Sequence, residues 1–433
     1  MRPANILFIS LVFLSITPAC GGSSSGSSTT PSAWEIVGGQ VSAADAESQD
    51  PVMLLSTPKA GYRHASYQVA LNLFNTGSWG TSKGDPSNGN DETFYGPPNF
   101  CENDSTIYTA FAHSGDPSSG GADFYDHVLA YSWDETNGWQ AMNGGNEVSN
   151  AWTGNQWDAY EATTACHSYE EQGGQVTYDM VVAWVEADDA SAEDNAYAAL
   201  VGGSNIERSD LISRNNAVGS FPTDVRVAGV FAADTGIYVA QWENDANDQS
   251  KIELYVTELA IPGLAQTPLG VALDVDYDGN TLSAPSLAML SGNVVVAYSA
   301  FRPRTGTAAN TRDIYVQRWD GATWQAMGTG PVSAYASTAH LDANNPSLLL
   351  IGTKLYIAWE EDGGEGSKIF IASWDEANAA WNLSTADTDI ASDVATNALD
   401  PSLGYDPDDN RLYVAFEAMI SGWPQIYVKR RTL

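Results

Sequence analysis

One pattern of apolar and polar positions recurs along most of the chain. A run opened by Pro346-Ser347-Leu348 is followed by Leu355-Tyr356-Ile357-Ala358-Trp359-Glu360, by Ile369-Phe370-Ile371-Ala372-Ser373-Trp374-Asp375 and by Trp381. The same four places are held one unit earlier by Pro285-Ser286-Leu287, Val295-Val296-Ala297-Tyr298, Ile314-Tyr315-Val316-Gln317-Arg318-Trp319-Asp320 and Trp324. The runs are short, rich in β-branched and aromatic residues, and separated by Gly, Asn, Asp and Pro. That texture predicts strands joined by turns. Pro346 to Pro401 and Trp319 to Trp374 are both 55 positions, and Pro285 to Pro346 is 61, so one unit of four strands takes about 58 residues.

Weaker copies extend the pattern towards the N-terminus. Ile107-Tyr108-Thr109-Ala110-Phe111 goes with Leu129-Ala130-Tyr131-Ser132-Trp133-Asp134 and Trp139, and two further second strands begin at Val181 and Ile237. From Val52 to Glu92 the signal fades to two strands, one starting at Val52 and one spanning Tyr67 to Leu71. The last unit stops after its third strand, Ile426-Tyr427-Val428. Its missing strand is supplied by Trp34 to Ser42, which matches Trp324 to Ser333. The prediction is an all-β chain: a β-propeller of seven four-stranded blades, or six if Val52 to Glu92 is an insertion. N- and C-terminal strands sharing the last blade close the ring and remove its open edge.

These repeats resemble those of bacterial secreted propellers that read Pro-Ser-Leu, Tyr-Val-Ala-Trp-Glu, Ile-Tyr-Val and Trp-Asp, broadly sialidase-like or lectin-like. The resemblance implies the fold and leaves the function open among lectins, adhesion modules, scaffolds and enzymes. The Ser-x-Asp-x-Gly-x-Thr-Trp box of sialidases is absent from the sequence, and Phe301-Arg302-Pro303 matches their Phe-Arg-Ile-Pro element only in part. The Gly-His partner and shorter unit of Trp-Asp-repeat propellers are missing too.

The N-terminus adds a compartment. Arg2 and an apolar stretch from Ile6 to Ile16 read as an export signal, too short for a membrane-spanning helix. Thr17-Pro18-Ala19-Cys20 resembles a bacterial lipobox, with Cys20 as the lipidated residue. Residues 21–33, mostly Gly, Ser and Thr, read as a flexible tether ahead of the propeller at 34–433. The expected location is the outer membrane, with the lipid as the only membrane contact; ordinary cleavage and secretion is the alternative. Of the remaining cysteines, Cys101 and Cys166 align with the Pro-Ser-Leu region of consecutive units and are expected to pair, the alternative being two buried thiols.

Charge narrows the partners. With 54 acidic and 18 basic residues the net charge is −36, which excludes nucleic acid as a partner and favours neutral or basic ligands and divalent cations. No cofactor is expected. Asp274, Asp276 and Asp278 before Gly279 are expected to form an acidic, solvated connection between blades, with calcium as the alternative, since the twelfth position of a calcium loop is Pro285. Glu186, Glu243, Glu360, Glu361 and Glu417 end second strands at one height around the ring and are expected to be solvated, the alternative being a cation-attracting mouth. Aromatic residues outside the repeat, Trp79, Trp152, Trp157, Tyr160 and Trp423, with Arg302 and Arg304, are the candidate ligand contacts. They lie in connections expected on one face. The function expected is non-catalytic binding or scaffolding by a monomer in the cell envelope, with a glycan or an envelope protein as ligand; the alternative is a glycoside hydrolase. Detergent-phase partitioning checks the anchor: wild type is expected in the detergent phase and Cys20→Ala in the aqueous phase.

Overall fold

A computed structural model describes the chain from Ala33 to Leu433, apart from residues 43–47, 55–58, 65–67, 76–77, 80–93, 104–105, 115–125, 150–157, 171–176, 189–192, 210–211, 213–225, 234–235, 246–247, 262, 276–282, 303–310, 336–341, 363–365 and 385–386. Residues 1–32, with the stretch expected to be an export signal and Cys20, lie outside the described residues. No described helix is long and apolar enough to cross a membrane.

The described residues form seven antiparallel sheets, six of four strands and one of five. In chain order, blades 1 to 6 start with the inner strands Ser48–Leu54, Phe94–Asn103, Asp158–Glu170, Arg226–Ala233, Ser286–Leu290 and Ala343–Ile351. Blade 7 comprises Ala398–Asp406, Arg411–Ile420, Trp423–Thr432 and, as its outer strand, Glu35–Gln40. The inner strands of successive blades touch, and Ser48–Leu54 of blade 1 packs against blade 7, so the sheets form a closed ring.

The hydrophobic core is divided into seven clusters, one in each wedge between adjacent blades. The second strand of blade 5 shows why the runs are continuously apolar. Val294, Val296, Tyr298 and Ala300 face blade 4, while Val295 and Ala297 face blade 6. A strand covered on both faces cannot alternate apolar with polar residues.

The signature residues of the repeat act between blades. The serine of Pro-Ser-Leu accepts a backbone N–H from the next inner strand: Leu348 N to Ser286 Oγ (3.0 Å), Leu403 N to Ser347 Oγ (3.1 Å) and Met53 N to Ser402 Oγ (3.0 Å). Fourth-strand tryptophans reach the preceding blade, Trp324 Nε1 donating to Leu269 O and Trp381 Nε1 to Met327 O, each at 2.9 Å. Asp134, Asp320 and Asp375 cap the hairpin between third and fourth strands. Asp320 Oδ1, for example, accepts from the N–H groups of Ala322 (2.9 Å) and Thr323 (2.8 Å). They do the work of an Asx turn without a sialidase-type box.

The closing strand reproduces an ordinary fourth strand. Ile426 N donates to Ser42 Oγ at 3.1 Å, as Ile314 N donates to Ser333 Oγ at 2.9 Å. Ahead of it, Trp34 Nε1 donates to Asp387 Oδ1 (3.2 Å), and the Arg431 guanidinium, itself paired with Asp387, lies 5.0 Å from the Trp34 ring centre. Glu35 accepts from Arg430 Nε at 2.6 Å.

Blade 1 corrects the reading of residues 52–92. The run at Tyr67 to Leu71 falls at its third strand, Gln68–Asn75; the second strand is Lys59–His64, whose Lys, Gly, Arg and His hide it from a hydrophobicity reading. Cys101 and Cys166, on the inner strands of blades 2 and 3, are joined by a disulfide with Cα atoms 5.3 Å apart.

Removing one member of a buried ion pair leaves the other charge desolvated, at a cost of about 3–5 kcal/mol. Asp387→Ala is therefore expected to destabilise the ring by about that much, because Asp387 and Arg431 are both buried. Denaturant unfolding measures it. A loss below about 1 kcal/mol would mean that the pair does not hold the closure.

Candidate functional site

Inner strands begin on the face that carries the connections between blades and the loops between second and third strands. In blades 3, 6 and 7 each inner strand has a bulge near this end, where the register shifts between Tyr160 and Thr163, Asn344 and Ser347, and Leu399 and Ser402. Within these bulges Glu161, Asn345 and Asp400 have φ near +50°. That left-handed geometry costs a non-glycine residue free energy, least for Asn and Asp, and persists only where the surroundings hold it.

Asn345 and Asp400 belong to a continuous polar chain across blades 5, 6 and 7. Asn345 N donates to Ser283 Oγ (2.7 Å), Asn345 Nδ2 donates to Asp400 Oδ1, and Asp400 N donates to Glu360 Oε2 (2.8 Å). Beside it, Arg312 Nη1 donates to Asn344 Oδ1 (3.1 Å) and Arg312 N to Asp342 Oδ1 (2.9 Å), with the guanidinium 5.0 Å from the Phe301 ring centre. Glu360 is buried, whereas Arg312, Asn344, Asn345 and Asp400 are half-exposed. Burial pushes the Glu360 carboxyl up from its ordinary value, against the opposing pull of the Asp400 N–H, the Asn345 side chain and Arg312. The arrangement offers amide, guanidinium and carboxylate groups in fixed positions, and one carboxyl group inclined to keep its proton.

The second-strand acids are not solvated as the sequence suggests. Glu186, Glu243, Glu360, Glu361 and Glu417 are all buried, because these strands are covered on both faces. Glu186 accepts from Trp184 Nε1 (2.9 Å), Glu361 from Trp359 Nε1 (3.1 Å) and Glu243 from Gln241 Nε2 (2.5 Å). Two residues apart on one strand they share a face, so the acid holds the polar edge of its neighbour. Glu186 also belongs to a group with His127, Glu147 and Arg208 between blades 2 and 3, where His127 Nδ1 lies 3.1 Å from Glu147 Oε2.

The expected ligand contacts are dispersed. Trp423 stands 57% exposed after the two-residue turn Ser421-Gly422 of blade 7, whose positive φ values suit a tight hairpin. Asn397 O accepts from Met419 N (3.0 Å), which sets this hairpin on the same face as Asp400. Trp79 corrects its assignment to a loop between second and third strands. It lies in the fourth strand of blade 1 and donates from Nε1 to Val37 O at 2.7 Å, the packing role of Trp324 and Trp381. Tyr160 pairs with Val185 at the bulge of blade 3, and Arg302 ends the second strand of blade 5. Trp152, Trp157 and Arg304 lie outside the described residues. Asp274 sits in an extra strand, Leu273–Val275, opposite Glu253, and Asp276 and Asp278 lie outside the described residues. Among the described residues no group of three His, Cys, Asp or Glu side chains is placed to hold a metal ion. Arg312, Asn344 and Asn345 escaped the sequence reading. The available signal was the shared polar residue before proline in Asn345-Pro346 and Asp400-Pro401.

Solved structures share this architecture. A polysaccharide lyase described as an ulvan lyase is 10% identical, with 90% of this chain and 94% of that one covered at a TM-score of 0.50. An α-L-arabinofuranosidase of Fusarium graminearum is 11% identical over 78% of this chain and 92% of that one, at 0.45. A Trypanosoma rangeli sialidase is 12% identical at 0.44, covering 78% of this chain, which spans 55% of the sialidase's length. No family model matches the chain, and no curated protein does. At such identities the likeness is one of fold, a β-propeller.

Two opposed groups of carboxyls set the response to acid. Burial raises Glu186 and Glu360, so the native protein binds their protons more tightly than the unfolded chain does and gains stability as pH falls from neutral. Hydrogen bonds lower Asp134, Asp320 and Asp375; their contribution is present above the ordinary carboxyl value and lost as pH falls below it. Melting temperature is expected to rise as pH falls from neutral towards the ordinary carboxyl range of about 4 and to drop once pH passes below it. Glu186→Gln with Glu360→Gln should flatten the rise. A steady fall from pH 7.5 downwards would contradict the assignment.

Proposed function

We propose that this chain is a non-catalytic glycan-binding lipoprotein of the cell envelope, held at the outer membrane through Cys20. Its ligand rests on the face where the inner strands of blades 5, 6 and 7 begin. The observation that carries this reading is the hydrogen-bonded chain Ser283-Asn345-Asp400-Glu360, with Arg312 and Asn344 beside it and Trp423 exposed on the same face. Fixed amide, carboxylate and guanidinium groups match the donors and acceptors of sugar hydroxyls, and an exposed indole offers an apolar surface for a sugar ring. The net charge of −36 selects neutral or cationic glycans over sulfated or uronic ones. The propeller fold shared with proteins named as a polysaccharide lyase and as glycosidases is in keeping with a carbohydrate ligand.

Most repeated carboxylates support binding over catalysis, since Glu186, Glu243 and Glu361 are occupied in holding side chains of their own strands. The glycosidase alternative rests on Glu360, whose raised pKa suits a general acid.

A glycan array run beside a panel of chromogenic glycosides separates the two. Binding of neutral or cationic glycans without turnover is expected. Trp423→Ala should weaken binding at least about tenfold, the equivalent of ~1.4 kcal/mol, with an unchanged melting temperature. Turnover abolished by Glu360→Gln would replace this reading with hydrolysis, and a ligand profile indifferent to Trp423→Ala would remove the site.

A further inference from the structure

A second space lies at the other end of the ring. Past their bulges the inner strands run towards the turns that lead into the second strands, and there they enclose a cavity of about 680 Å³ on the ring axis. All seven blades contribute to its wall. Met53 and Leu54 come from blade 1, Phe100 from blade 2, Phe231 from blade 4, and the remaining blades add Cys166, Met289, Leu350 and Tyr405 among others. The wall is pinned by the Cys101–Cys166 disulfide, whose two residues both line it. Among the described residues of the lining, Glu102 is the one that carries a charge. Tyr405 adds a hydroxyl that donates to Asn410 Oδ1 at 2.9 Å.

Apolar side chains facing water cost roughly 25 cal/mol for each Å², and Met289, Leu348 and Leu350 remain partly exposed on the axis, although Met289 and Leu348 also pack against the wedges between blades. The volume falls within the range of roughly 300–1,000 Å³ that encloses small organic ligands. Apolar cavities of this kind accept apolar molecules in preference to water. Glu102 and the acidic field around it disfavour an anionic head and favour a cationic or neutral one.

We propose that this axial cavity is a binding site for a small amphiphile with an apolar chain or ring and a neutral or cationic head, seated with its head towards Glu102. The site is separate from the polar face of blades 5 to 7, so the two bind different molecules.

Fluorescence titration of the whole protein with neutral N-phenyl-1-naphthylamine tests it, with dodecylamine and dodecanoate as competitors of matched chain and opposite charge. One saturable site is expected, with dodecylamine displacing the probe at least tenfold better than dodecanoate. Met289→Trp and Leu350→Trp, which fill the cavity, should each lower probe affinity at least tenfold. Ile36→Ser and Val271→Ser, on exposed apolar positions outside the cavity, should leave it unchanged. If a tryptophan variant does not fold, Glu102→Gln provides the second reading, since it should remove the preference for dodecylamine while the probe still binds. Equal displacement by the two competitors in the wild type, probe affinity unchanged in both folded tryptophan variants, or a preference for dodecylamine that survives Glu102→Gln, would overturn the proposal.

Discussion

Each blade of this ring is a sheet that cannot bury its own surface. Its two faces are apolar, and it is stable only when a neighbour fills the wedge on either side. Seven separate clusters therefore replace a single core, and each depends on the next. Most of the other features follow from this mutual covering. Continuous apolar strands, serine links between inner strands and tryptophan links between outer strands are ways of joining sheets whose ladders never meet. The burial of strand-end acids has the same origin, and so does their attachment to an indole or amide two residues away on the same strand.

What was legible in the sequence is what the wedges constrain. Val295-Val296-Ala297-Tyr298 and Leu355-Tyr356-Ile357-Ala358-Trp359 announce themselves because neither face of the strand tolerates polar groups. The equivalence of Val41-Ser42 with Val332-Ser333 was readable for a related reason, since Ser42 and Ser333 accept the same N–H in their blades. Blade 1 was obscure because Lys59–His64 lacks that apolar run, and Trp79 was misplaced as a consequence. The polar chain at Asn345 and Asp400 was hidden for a different reason. Its geometry arises from bulges in separate blades, and a bulge leaves only the polar residue before proline as a trace. Acidic strand ends looked solvated because charge is a good guide to exposure only where one face of a strand is free.

The two ends of the axis are chemically unlike, although the same seven strands build both. At the bulged ends the register shifts and left-handed residues leave backbone and side-chain polar groups to be satisfied laterally, which produces the network around Glu360. Beyond the bulges regular pairing resumes, apart from a second shift between Cys166 and Tyr169 in blade 3. Backbone groups are consumed by the ladders there, and the side chains left at the axis are mostly apolar, Leu, Met and Phe among them, with Glu102 and Tyr405 as the polar exceptions among the described residues. One strand geometry thus divides the channel into a polar half and an apolar half without any change of fold.

The closing contact also orders events in time. Glu35 and Arg430, joined across the last blade, are 395 residues apart in the chain. At roughly 5–20 residues per second of synthesis, the outer strand of blade 7 is made about 20–80 s before the strand it pairs with. Throughout that interval six blades can assemble in order while the first segment waits with its hydrogen-bonding edge unclaimed. Until the last strand arrives, a chain of this design is an open arc with two unpaired edges.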